Sequence, residues 1–104
     1  MVAWYTTETV AGKQISKHIG VAMGSTIRAR NIGRDIIAGL RTLVGGEVPE
    51  YTEMMAHARN QAIERMLQKA NEMGADAVVG VRFSTAMIMQ GTAEVMAFGT
   101  AVKF

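Results

Sequence analysis

Apolar and polar positions alternate with two different periods along this chain. From Tyr51 to Met73 the spacing is helical: Tyr51, Met55, Ala58, Ala62, Ile63, Met66, Leu67, Ala70 and Met73 fall on one arc. Glu53, His57, Asn60, Glu64, Gln68 and Asn71 fall opposite. Pro49 suits the first turn, where its missing N–H has no helical partner, and Glu50 and Glu53 favour the same end through the dipole. Gly74 suits the left-handed residue that ends a helix. Arg59 is the exception, because it sits inside the apolar arc. Its spacing predicts a buried guanidinium paired with a carboxylate, a stem that snorkels, or a ligand contact.

Elsewhere the period is two. Residues 2–6 predict a short strand, and Glu8 to Gly12 a turn. Lys13 to Ile27 predicts a strand with Ile15, Ile19, Val21, Met23 and Ile27 on its apolar face. Gln14, Ser16, His18, Gly20, Ala22 and Gly24 lie on the other, where glycine signals a bulge or a close backbone contact. Asn31 caps a predicted helix over 32–44, striped by Ile36, Ile37, Leu40, Leu43 and Val44 and stopped by Gly45 and Gly46. After Gly74, residues 76–83 predict a strand with Ala77, Val79, Val81 and Phe83 on one face. Ser84 to Gly91 reads as a connection, and Thr92 to Phe104 as the last strand. The order is strand, strand, helix, helix, strand, strand (ββααββ). That predicts a single α+β domain over 1–104, with two helices on one face of an antiparallel sheet.

The last strand carries small residues on one face (Ala93, Val95, Ala97, Gly99, Ala101) and large ones on the other (Met96, Phe98, Val102, Phe104). A strand with one wet side alternates apolar with polar. This one is apolar on both sides, so both are expected to be covered, one by helices and one by another subunit. Composition agrees: 49% of the 104 residues are hydrophobic and only 19% charged, an apolar balance for a domain with so much surface to cover.

Charge is uneven. The net is +2, yet within residues 10–46 Lys13, Lys17, Arg28, Arg30, Arg34 and Arg41 face only Asp35. The segment Gly24 to Asp35 (GSTIRARNIGRD) is polar, basic and leads into a helix, where free N–H groups attract anions and arginine adds paired donors. Ser25, Thr26, Arg28, Arg30, Asn31 and Arg34 are therefore candidates for a small-anion site. The competing reading makes them a clamp between subunits, paired with Asp35 or with a neighbour's Glu47 or Glu50. The spacing is not that of a Walker loop.

Other chemistry finds little footing. With no cysteine there is no disulfide framework and no thiolate metal site. His18 and His57 are far apart in sequence, and Met55, Met66 and Met73, soft donors for copper(I), lie on the core arc. Ser25 follows Gly24 without a G-x-S-x-G setting or a predictably placed histidine, so the expected module is non-enzymatic and without a cofactor, and an enzyme with its site at a subunit boundary stays open as a third reading. Aromatics are few and not interleaved with the basic segment, which disfavours nucleic acid. No apolar run is long enough to span a membrane, and residues 1–8 do not read as a signal peptide, so cytoplasm is the expected location.

Several stretches together resemble the YbjQ-like family: Gly24 to Asp35, Ala38-Gly39, Val44 to Glu47 (VGGE), Tyr51 to Glu53 (YTE), Ala58-Arg59 and Gly74 to Phe83 (GADAVVGVRF), with Ala93-Glu94 and Gly99 to Val102 (GTAV). The likeness covers nearly the whole chain. It implies a ring-shaped homopentamer of α+β subunits and no established reaction. The family also carries a heavy-metal-binding label, so metal binding is the alternative function, although no ligand set matches residue by residue. The expected partner is the chain itself, with a small anion as the candidate ligand.

Overall fold

The computed structural model describes residues 2–29, 49–89 and 91–104. In chain order these form β1 (Ala3–Trp4), β2 (Lys17–Ala29), the helix α1 (Pro49–Glu72), β3 (Ala77–Met89) and β4 (Thr92–Lys103). The helix predicted over 32–44 lies outside the described residues.

The helix forms where the arc predicts it, with Pro49 as its first residue. Ala58, Ala62, Met66 and Ala70, each four apart, are all fully buried. Three of the four are alanines, so the helix axis can come close to the sheet. The sheet answers with Gly20, Ala22 and Gly24 on the facing side of β2. A Cβ added at Gly24 would stand 2.3 Å from the Met66 nitrogen and 2.5 Å from the Ala62 oxygen, so only glycine admits this approach. The helix ends as expected. Gly74 takes a positive φ of 79°, and the Ala75 N–H reaches back to the Ala70 carbonyl at 3.1 Å, a Schellman-type cap.

The sheet order is β1-β3-β4-β2. β4 pairs antiparallel with both β2 and β3, whereas β1 runs parallel to β3 through Ala3↔Ala77 and Trp4↔Val78. The expected antiparallel sheet with two helices on one face is therefore corrected: the described residues carry one helix on a mixed sheet. Periodicity gives a strand's faces but not its direction. The direction of β1 is set by tertiary bonds, in which Tyr5 donates to Val78, Val81 to Tyr5 and Gly80 to Thr7. A parallel pair needs a long crossover between its strands; here β2 and α1 lie in between.

Three local readings also change. β3 does not stop at Phe83 but continues to Met89, so the supposed connection over Ser84 to Gly91 is mostly strand. The register of β3 shifts between Val79 and Arg82, where Gly80 has a φ of 62°. That bulge breaks the single predicted face: Val81 joins the core under the helix, while Ala77 and Val79 pack on the opposite side with Val102, Tyr5, Val10 and Ile15. Finally, the helix takes the small side of β2. Ala22, Gly24 and Thr26 are buried beneath it, while Val21, Met23 and Ile27 point to the other side and are exposed.

Replacing Gly24 by Ala is expected to destabilise the fold by about 3 kcal/mol, at the upper end of core overpacking, because the new methyl meets helix backbone rather than a movable side chain. Urea unfolding measures it; an unchanged midpoint would show that the helix shifts freely.

Candidate functional site

Thr26 and Arg28 are two residues apart on β2 and share its helix-facing side. Both reach Gln61 of α1. The Thr26 hydroxyl donates to Gln61 Oε1 at 2.6 Å, and Arg28 Nη2 donates to the same oxygen at 3.1 Å. Thr26 is buried, as a threonine can be once its hydroxyl is bonded. The Arg28 Nε is also buried and has no hydrogen-bond partner among the described residues. One neutral amide oxygen thus carries two donors, one of them cationic.

The sequence-predicted set divides accordingly. Thr26 and Arg28 come together. Ser25 points to the other side of the sheet, paired with Met96, and its carbonyl accepts from Arg65 Nη1 at 2.7 Å. Arg30, Asn31 and Arg34 lie outside the described residues. Arg59 is exposed, which fits the snorkelling alternative rather than the buried ion pair: with its head in water, it needs no buried counter-ion. Gln61 was not anticipated. Its signal was available, since a neutral polar residue beside Ala62 borders the apolar arc and can meet a polar pair on the sheet.

Other polar contacts pin chain ends. Arg82 Nη1 donates to the Thr6 and Val81 carbonyls at 2.8 and 2.9 Å, and its Nη2 lies 3.8 Å from Glu8. Asp76 Oδ2 accepts from the Phe104 N–H at 2.9 Å, Lys103 lies 3.9 Å from its other oxygen, and the Lys13 ammonium sits 5.6 Å from the Phe104 ring centre. These exposed pairs orient the termini and contribute little energy each.

The largest unanswered feature is apolar. On the side of the sheet away from α1, Val21, Met23 and Ile27 are 59%, 53% and 59% exposed. Met23 pairs across with Phe98, and Ser25 with Met96, so these two large side chains of β4 extend the same patch. The N-terminal segment covers only the other end of this face, over Ala77, Val79 and Val102.

A metal centre is not assembled among the described residues. No three His, Cys, Asp or Glu side chains come together there. His18 lies on β2 and His57 on α1, both exposed, and Met55, Met66 and Met73 pack in the core cluster.

Substituting Gln61 by Leu removes the acceptor shared by Thr26 and Arg28. The expected loss is about 2–3 kcal/mol, the cost of stranding buried donors. Gln61→Glu, which keeps the acceptor and adds charge, is expected to retain stability at neutral pH. Equal losses in both variants, by chemical unfolding, would mean that Gln61 contributes shape rather than acceptance.

Comparison with known proteins places this geometry. A family model described as "Putative heavy-metal-binding" matches residues 2–104. A UPF0145 protein of Methanosarcina acetivorans is 58% identical over 98 residues, covering 94% of this chain and 92% of its own. A UPF0145 protein of Thermus thermophilus is 54% identical over 98 residues, covering 94% and 86%. A crystal structure of a protein of unknown function from Pediococcus pentosaceus superposes with a TM-score of 0.64 over 99% of this chain and 97% of that one. At 14% identity it shares the fold alone. On the full-length family match and on relatives above half identity, the chain belongs to the YbjQ-like family.

Proposed function

We propose that this protein works as the subunit of a non-enzymatic homo-oligomer, in which the open sheet face of each copy is covered by another. Five copies is the ring size that the family resemblance implies. The observation that carries the reading is the apolar patch on the side of the sheet away from α1, where Val21, Met23 and Ile27 are 59%, 53% and 59% exposed and lie beside Met96 and Phe98 of β4; contiguous apolar surface of this kind marks an interaction site.

Arg28 supports a second element of the proposal. A half-buried guanidinium whose Nε lacks a partner among the described residues is completed by an oxyanion: a small anion such as phosphate, or a carboxylate of the next copy. Nothing among the described residues favours the heavy-metal alternative. No helix among them is long and apolar enough to cross a membrane, and cytoplasm is the proposed location.

Light scattering coupled to size exclusion at micromolar concentration is expected to give about five subunits. A monomer would overturn the proposal. Met23→Asp is expected to dissociate the assembly while leaving each subunit folded. The position is half exposed in the single chain, and the new charge becomes costly only when another surface removes its water.

A further inference from the structure

β2 closes the strand order β1-β3-β4-β2, so one of its edges pairs with β4 and the other has no strand beside it among the described residues. In an antiparallel pair, alternate residues turn their N–H and C=O groups toward the partner strand and the rest turn them away. The Ser25 carbonyl accepts from Arg65 Nη1 of α1 at 2.7 Å. Ser25 therefore belongs to the outward-turned set, together with Val21, Met23 and Ile27. An open edge of this kind is a template on which another strand can add, and prolines, charges and bulges are the common protections. β2 has a bulge only near its start, between His18 and Gly20. From Ile19 to Ile27 (IGVAMGSTI) it has neither proline nor charge. Uncharged, β-prone segments stack readily on copies of themselves.

Arg65 supplies the charge that the strand lacks. The close approach at Gly24 sets it there, since a Cβ added at Gly24 would stand 2.7 Å from the Arg65 carbonyl carbon. From that anchor the exposed side chain reaches the open edge. We infer that Arg65 is an autoinhibitory contact, which keeps the β2 edge from adding the β2 edge of a second copy. An incoming strand has to take the Ser25 carbonyl from the guanidinium. It then covers a cation that has lost its acceptor, and a stranded charge of that kind is costly. The edge is distinct from the open apolar face, so this guard acts whatever number of copies the assembled protein contains.

Wild type, Arg65→Ala and Arg59→Ala are compared by light scattering across a concentration series, with thioflavin fluorescence as the sign of stacked strands. Arg59 is an exposed arginine of the same helix and controls for the loss of one positive charge. Arg65→Ala is expected to grow with concentration into species several-fold larger than wild type, with rising thioflavin fluorescence, while Arg59→Ala keeps the wild-type size. Adding Ser25→Pro to Arg65→Ala is expected to restore the wild-type size. The Ser25 N–H faces outward with its carbonyl, so proline there removes no bond to β4 and blocks an added strand. Arg65→Ala at the wild-type size overturns the inference. So does equal growth in Arg59→Ala, which assigns the effect to charge alone, and so does growth that survives Ser25→Pro in a folded protein, which assigns it to another surface. Amide exchange localises the contact: in the large species the N–H groups of Met23, Ser25 and Ile27 are expected to slow. Exchange as fast as in wild type overturns the inference even if the proline variant does not fold. Circular dichroism and the urea midpoint confirm that each variant starts folded, and Arg65→Gln, which keeps part of the stem, replaces Arg65→Ala if the latter does not.

Discussion

The contact on which the rest depends is the approach of α1 to β2 at Gly24. There the helix backbone of Ala62 and Met66 lies where any other residue's Cβ would be. Three alanines on the helix and the row Gly20, Ala22, Gly24 on the strand make the two surfaces smooth enough to touch. Dispersion between closely packed backbones then substitutes for interlocking side chains. The consequence is a choice of side. Because the helix occupies the small face of β2, the large apolar residues Val21, Met23 and Ile27 are turned away from the chain's own core. Among the described residues the sheet is well packed on one side, while Val21, Met23 and Ile27 stand exposed on the other.

The polar contacts follow the same geometry. Thr26 and Arg28 continue the helix-facing row of β2, so they must be polar residues met by something on α1, and Gln61 is within reach. An amide oxygen satisfies a hydroxyl but only partly satisfies a guanidinium. The Arg28 Nε, without a hydrogen-bond partner among the described residues, is thus the polar counterpart of the bare apolar face.

Much of this was legible in the sequence. The long helix, its start at Pro49 and its end at Gly74 followed from a strong 3.6-residue period and unambiguous end signals. The two-sided apolar character of β4 pointed to helices on one side and another subunit on the other; Ala97 and Ala101 do lie in the core under the helix, but what packs on Val102 is the chain's own N-terminal segment. Direction was not legible, because β1 is oriented by bonds to Val78, Gly80 and Val81 that leave no pattern in its own two residues. The bulge at Gly80 defeated simple alternation, since one inserted residue flips every side chain beyond it. Which side of β2 the helix takes was also misleading. Hydrophobicity favours burying Val21 and Met23, but close packing favours burying Ala22 and Gly24, and close packing decides. Among the candidate site residues, Thr26 and Arg28 were singled out because they belong to a polar, basic segment expected to open a helix; what brings them together at Gln61 is that they are two apart on a strand. For Arg59 the sequence left a buried pair, a snorkelling stem and a ligand contact open, because its angular position on the helix says nothing about whether the sheet extends beneath that position.

The central claim is that the large apolar side chains left outside the subunit's core are covered by another copy. Hydroxyl-radical footprinting at micromolar concentration tests it most directly, because methionine oxidises readily where radical and solvent reach it. Met66 is the internal reference, fully buried in the single chain, while Met23 is not. The account predicts that Met23 oxidises nearly as slowly as Met66 in the native protein, and much faster once the assembly is diluted apart. Rapid oxidation of Met23 beside a protected Met66, at the concentration where assembly is expected, would contradict it.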